Sequence, residues 1–129
     1  MDANAKKTAL RMIPYGLYVL TAADKDGEVA AATVNWVTQA SFAPPLVVVG
    51  VKADSGAHAV IKRSGAFALN VLGKAQQAAA FAFFKPTNRE GNRINGEVVD
   101  AGGRSEIAGR PDDATLWLKD LGEKTFYGG

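Results

Sequence analysis

Residues 33–51 constrain this chain more than any other stretch: Thr33-Val-Asn-Trp-Val-Thr-Gln-Ala-Ser-Phe-Ala-Pro-Pro-Leu-Val-Val-Val-Gly-Val51. They read as two strands joined by a polar turn that ends in Pro44-Pro45. The first strand, over about residues 29–38, carries hydroxyl and amide side chains where a core strand carries Val or Ile. The second is almost wholly aliphatic. Strand alternation sorts Ala30, Ala32, Val34 and Trp36 to one face and Thr33, Asn35 and Val37 to the other. A buried strand holding Thr33, Asn35 and Gln39 must satisfy those groups, because an unpaired buried polar group costs ~1–3 kcal/mol. A polar ligand held against the sheet is one way to do so. Proline cannot donate to a ladder, so Pro44-Pro45 must start or edge the next strand.

Around this pair the pattern alternates short strands with short helices. Residues 3–12 predict an amphipathic helix with Lys6, Lys7 and Arg11 outward. Residues 15–21 are apolar on both faces of a period-two pattern, which predicts a fully buried strand. Asp24-Lys-Asp-Gly27 is a hairpin turn signal. Asp54 or Ser55 caps a helix over roughly 56–63. Residues 66–72 predict a strand, and residues 74–84 a helix. Residues 86–96 are polar and rich in turn residues, which predicts a mobile surface loop. Val98-Val99 begins a strand, residues 104–113 read as a turn, and residues 115–118 as a last strand.

A chain of 129 residues with neither repeat nor linker is one domain. The net charge is +2, and its basic residues are scattered rather than gathered on a face. Nucleic acid is therefore not the expected partner. There is no cysteine, which removes disulfides, thiol catalysis and cysteine-bound metal. No apolar run is long enough to span a bilayer and the start lacks a signal-peptide pattern, so the expectation is a cytoplasmic protein without membrane contact. No paired carboxylates, metal-ligand cluster, nucleophile triad or dinucleotide glycine fingerprint is present.

As a set, several runs resemble the flavin reductase-like family of FMN-binding split barrels. They are Pro14-Tyr-Gly-Leu-Tyr-Val-Leu-Thr21, Thr33-Val-Asn-Trp36, Gln39-Ala-Ser-Phe-Ala-Pro-Pro45 and Val51-Lys-Ala-Asp-Ser55. His58, Phe67-Ala-Leu-Asn-Val-Leu72 and the closing Phe126-Tyr-Gly-Gly129 belong to the same set. The resemblance implies a mostly β fold, a split β-barrel of Greek-key character with a few short helices. It implies a homodimer with FMN at the subunit interface, FAD being the alternative, and NADH or NADPH as electron donor. Hydride would pass from nicotinamide to flavin, the chemistry being the cofactor's own. Two other readings are an FMN electron-transfer module without its own nicotinamide site, serving an electron-acceptor protein, and a non-catalytic barrel kept as an interaction domain. The family's Gly-Asp-His motif has no counterpart, because Ile94-Asn95-Gly96 runs straight into Glu97. Either the domain is truly shortened there, or an internal stretch of the natural protein is missing from this sequence.

The resemblance places the cofactor site on Thr33, Val34, Asn35, Trp36, Gln39, Ala40, Ser41, Lys52, Ser55 and His58. Thr33 and Asn35 line it with side chains and amides, whereas Trp36 is equally a packed core residue. Gln39, Ala40 and Ser41, on the turn, offer small donors and backbone groups for a flavin's polar edge. Lys52 and Ser55 precede a helix, whose first amides and dipole favour phosphate. Asp54 would repel phosphate and is better suited to capping. His58, on the first helical turn, faces either phosphate or solvent.

Overall fold

The computed structural model describes residues 2–98, and in it the expected 29–38 strand is broken at Trp36. β1 (Tyr18–Ala23) pairs antiparallel with β2 (Val29–Val34), and with β5 (Ala68–Val71) on its other side. β3 (Val37–Ser41) and β4 (Leu46–Val49) form a separate hairpin. Thr33 and Val37, expected on one face of one strand, thus belong to different sheets. The Val37 amide donates to the Asn35 carbonyl at 3.1 Å, a three-residue turn with Trp36 at its apex. Such a turn cannot continue a ladder.

β1 is buried on both faces, as its sequence requires. Leu20 and Ala22 of β1, with Ala30 of β2, pack against Ala57 and Val60 of α2 (Gly56–Ser64). On the other face Val19 and Ala31 join Leu17, Leu72, Phe83 and Ile94, and Ala79 and Ala80 of α3 (Gln77–Ala82). Small side chains at Ala30 and Ala31 let a helix approach each face of β2. A 3₁₀ turn (Lys74–Gln76) leads into α3, so the helix expected over 74–84 is in two pieces. α1 (Ala3–Arg11) forms behind an Asp2 cap, but none of its residues is buried. Its amphipathic pattern is real, and its apolar side finds no cover among the described residues.

β2 is an edge strand, and its open side is blocked. The Thr87 hydroxyl accepts from the Ala31 amide at 3.1 Å and donates to the Ala31 carbonyl at 3.2 Å. The Thr33 amide donates to the Phe83 carbonyl at 3.2 Å. Covering an edge in this way removes a template for unwanted pairing.

The loop expected over 86–96 is instead folded into short strands: β6 (Arg89–Glu90), β7 (Arg93–Ile94) and β8 (Glu97–Val98). Asn95 and Gly96 have φ of 50° and 86°, which suits the two-residue turn between β7 and β8. The Gly96–Glu97 junction is therefore a tight hairpin in the structure, with Ile94 opposite Glu97. Asn95 also latches this unit down: its Oδ1 accepts from the Asn88 amide (2.7 Å) and its Nδ2 donates to the Ala82 carbonyl (3.0 Å).

Ser55, not Asp54, caps α2, accepting from the His58 amide at 3.1 Å, and Gly65 closes the helix at φ 68°. Near that end Arg63 donates to Asp24 at 3.0 Å and to Glu28 at 2.7 Å, tying α2 to the β1–β2 turn. Burial raises the Asp24 pKa, but Arg63 and the amides of Glu28 and Asp26 together outweigh it and hold the carboxyl below its ordinary value. A depressed pKa contributes stability above the unfolded-state value, and that contribution disappears as pH falls through the folded-state value. Asp24→Asn is therefore expected to lower the unfolding midpoint at about pH 7 and to lose that deficit near pH 2. Thermal melts at both pH values check this; a deficit that persists in acid would count against it.

Among the described residues the architecture is strands in three small sheets with a few short helices. No closed barrel is formed by them, and none of their helices is long and apolar enough to cross a membrane. The turn expected at 104–113, the strand at 115–118 and the closing Phe126-Tyr-Gly-Gly129 lie outside the described residues.

Candidate functional site

The β3–β4 register decides which of the expected site residues meet. Val37 lies opposite Val49, so continuing outward brings Trp36 beside Gly50, and the Gly50 amide donates to the Trp36 carbonyl at 2.8 Å. The strand break at Asn35 and Trp36 is thereby joined to the segment 50–55 that leads into α2. Gln39, Ala40 and Ser41 lie at the far end of the hairpin. They are in β3 rather than on the turn, and a register shift between Gln39 and Ser41 leaves Ala40 as an extra residue. Such bulges bend the strand and re-aim its neighbours.

At the near end Ser55 and Lys52 share one turn. The Ser55 hydroxyl donates to the Lys52 carbonyl at 2.7 Å while capping His58. The Lys52 ammonium lies 3.7 Å from Asp54, both groups well exposed. Exposed ion pairs of this kind contribute little to stability, about 0–1 kcal/mol. Lys52 is therefore free to turn to a better anion at small cost. A phosphate oxygen is also a stronger acceptor than the carbonyl that now holds the Ser55 hydrogen.

His58 is half-buried on the first turn of α2. It lines a cleft of about 430 Å³ with Val47, Val48, Val49, Val51, Ile61 and Phe67. The walls are aliphatic or aromatic and the imidazole is the one titratable group on them. Pockets that take flat organic groups have this makeup, an apolar wall with few polar groups. The sequence assigns Val47, Val48, Val49 and Ile61 no part in a site. Their signal was the unbroken aliphatic run 46–49, which does not say on its own that Val48 is 55% exposed.

Two expected residues serve the scaffold. Thr33 donates its hydroxyl hydrogen to the Ala80 carbonyl at 2.6 Å, which anchors α3 to β2 and leaves the oxygen only as an acceptor. Val34 is half-buried against the α2-side core. Trp36 is not a packed core residue, being 46% exposed. Arg89 and Arg93 donate to the carbonyls of Gly91 and Gly96 and so brace their own turns. The described residues hold no group of His, Asp or Glu able to bind a metal ion.

The profile of the flavin reductase like domain matches residues 10–119, and the chain belongs to that family. It is 33% identical over 85 residues to the NADH-dependent flavin reductase StyB of Pseudomonas fluorescens, covering 66% of this chain and 49% of that one. It is 39% identical over 84 residues to the NADPH-flavin oxidoreductase of Streptomyces viridifaciens, covering 64% of this chain and 42% of that one. The solved styrene monooxygenase flavin reductase of Pseudomonas putida superposes with a TM-score of 0.63 at 27% identity, covering 80% of this chain and 66% of that one. The chain spans about half the length of the curated relatives it matches.

Proposed function

We propose that this chain is the flavin-binding part of a flavin reductase that passes hydride from NADH or NADPH to FMN, with FAD as the alternative. The family match over residues 10–119 carries the reading. The donor set fits the cofactor: Lys52, Ser55 and the first amides of α2 suit its phosphate, and the backbone of Asn35 to Ser41 suits the polar edge of its ring. The apolar cleft beside His58 suits a flat ring system. When bound, the flavin supplies the hydride and electron chemistry. The residues named here bind it, orient it and keep water from one side.

The finer features follow the same reading. The three sheets are parts of a split barrel, residues 1–129 form one domain shortened at Gly96–Glu97, and the protein works as a cytoplasmic homodimer. Exposed apolar side chains on and beside the β3–β4 hairpin, Phe42 at 87% and Val48 at 55%, favour a second subunit there. Because one relative is named as the flavin reductase of a styrene monooxygenase, an oxygenase is the proposed electron acceptor. The test is the visible spectrum of protein mixed with FMN and gel-filtered, then treated with NADH or NADPH without air. Retained flavin that bleaches supports a reductase, and retained flavin that does not bleach supports an electron-transfer module. No retained flavin removes the proposal, and sedimentation of the same sample reads the dimer.

A further inference from the structure

Asp54 does not have the task its position suggests. An acid just before a helix commonly caps it, yet the cap of α2 is Ser55, which accepts from the His58 amide at 3.1 Å. Among the described residues the Asp54 carboxylate has one polar partner, the Lys52 ammonium at 3.7 Å. The two side chains are 76% and 72% exposed, so their contact seals no core and adds little to the fold. Nor does it make the turn. The Ser55 amide and hydroxyl both donate to the Lys52 carbonyl, at 3.0 and 2.7 Å, and these bonds close the chain around Asp54 by themselves. Residues 52 and 54 are thus held on one short turn with their opposite charges side by side.

The consequence falls on Lys52. Any anion that takes its ammonium meets a carboxylate already there. Either Asp54 gives up the ammonium, or two anions share one positive charge and repel each other at close range. We propose that Asp54 competes with the flavin's phosphate for Lys52, and so sets FMN affinity below what Lys52 and Ser55 alone would give. The proposal rests on the flavin-binding reading above. Asp54 acts through Lys52 rather than on the ring. Its effect is therefore confined to flavins that carry a phosphate, and it hastens the departure of FMN without altering how the ring is held. An exposed ion pair amounts to at most about fivefold in a binding constant, which sets the size of the effect.

The test uses the full chain and two ligands, FMN and riboflavin, the second having the same ring and ribityl chain without the phosphate. Both are titrated at low salt by flavin fluorescence against the parent, Asp54→Asn, Asp54→Glu, Lys52→Ala and the double variant Lys52→Ala with Asp54→Asn. Asp54→Asn is expected to tighten FMN binding about fivefold, to slow FMN dissociation by a similar factor, and to leave riboflavin within about twofold of the parent. Asp54→Glu keeps the charge and is expected to bring no gain. With Lys52 already removed, Asp54→Asn is expected to gain less than about twofold. Added salt should shrink the gain. Unchanged or weaker FMN binding in Asp54→Asn overturns the proposal. So does a gain that riboflavin shares, which would set Asp54 against the ring or ribityl chain. An equal gain with and without Lys52 also overturns it, since that is plain repulsion rather than competition. The flavin reading survives each of these results, whereas a parent protein that binds neither flavin removes both.

Discussion

Lys52→Ala weakens FMN binding about ten- to a hundredfold, as expected from removal of a charge-assisted hydrogen bond of ~1.5–3 kcal/mol. The ammonium is well exposed and its only partner among the described residues is Asp54 at 3.7 Å, so folding should hardly notice the change. The effect should shrink as salt is added, because an exposed cation and a phosphate are screened over about 10 Å at 0.1 M ionic strength. Ser55→Ala should weaken binding as well, but with a different signature. It also removes the cap on the His58 amide, so a loss of ~1 kcal/mol in stability comes with it. Fluorescence titration at two salt concentrations separates the variants. Unchanged affinity in Lys52→Ala would take that residue out of the site.

Asn95→Ala should destabilise the protein by roughly 2–4 kcal/mol, the larger of the expected stability effects. Two side-chain hydrogen bonds are lost, from the Asn88 amide and to the Ala82 carbonyl. The backbone adds to this, since φ of 50° is a conformation asparagine tolerates and alanine does not. Asn95→Gly isolates the hydrogen bonds by relieving the backbone term. Asn95→Asp keeps the acceptor for Asn88 but sets a carboxylate oxygen against the Ala82 carbonyl. Urea unfolding orders the variants, with glycine milder than alanine. A value for Asn95→Ala within about 0.5 kcal/mol of the parent would show that the hairpin is not latched through this residue. The buried Ile94 is its chain neighbour, so the latch also holds one piece of the core in place.

How much of this was legible depends on how far each cause lies along the chain. The 24–27 turn was readable because Asp24 accepts from the amides two and four residues on, a local bond that composition alone signals. The capped start of α2 was readable for the same reason, with Ser55 and His58 three residues apart. The two-faced apolar pattern of β1 gave away its burial before either helix was placed. In 86–96 the Asn95-Gly96 signal was present, yet strands of two residues are too short for any period to show, so a hairpin unit looked like loop. The Thr33 hydroxyl looked like a ligand group because its partner, the Ala80 carbonyl, is 47 residues away.

The site divides along the same line. The sequence by itself determined the kinds of groups available: a cation and a hydroxyl before a helix, a histidine one turn in, amides and a tryptophan at the end of a polar strand, and the family these belong to. It determined them because side-chain chemistry and capping are properties of neighbours in the chain. Only the tertiary structure decided that the polar strand breaks at Trp36, since the break is held by Gly50 from the other hairpin strand. Only it decided that His58 faces an apolar cleft, since the cleft walls come from β4, α2 and Phe67 together. And only it separated Thr33, bound to α3, from Lys52 and Ser55, open at the start of α2. Burial and hydrogen-bond partnership are set by whatever packs across the gap, and a single chain pattern carries no record of that.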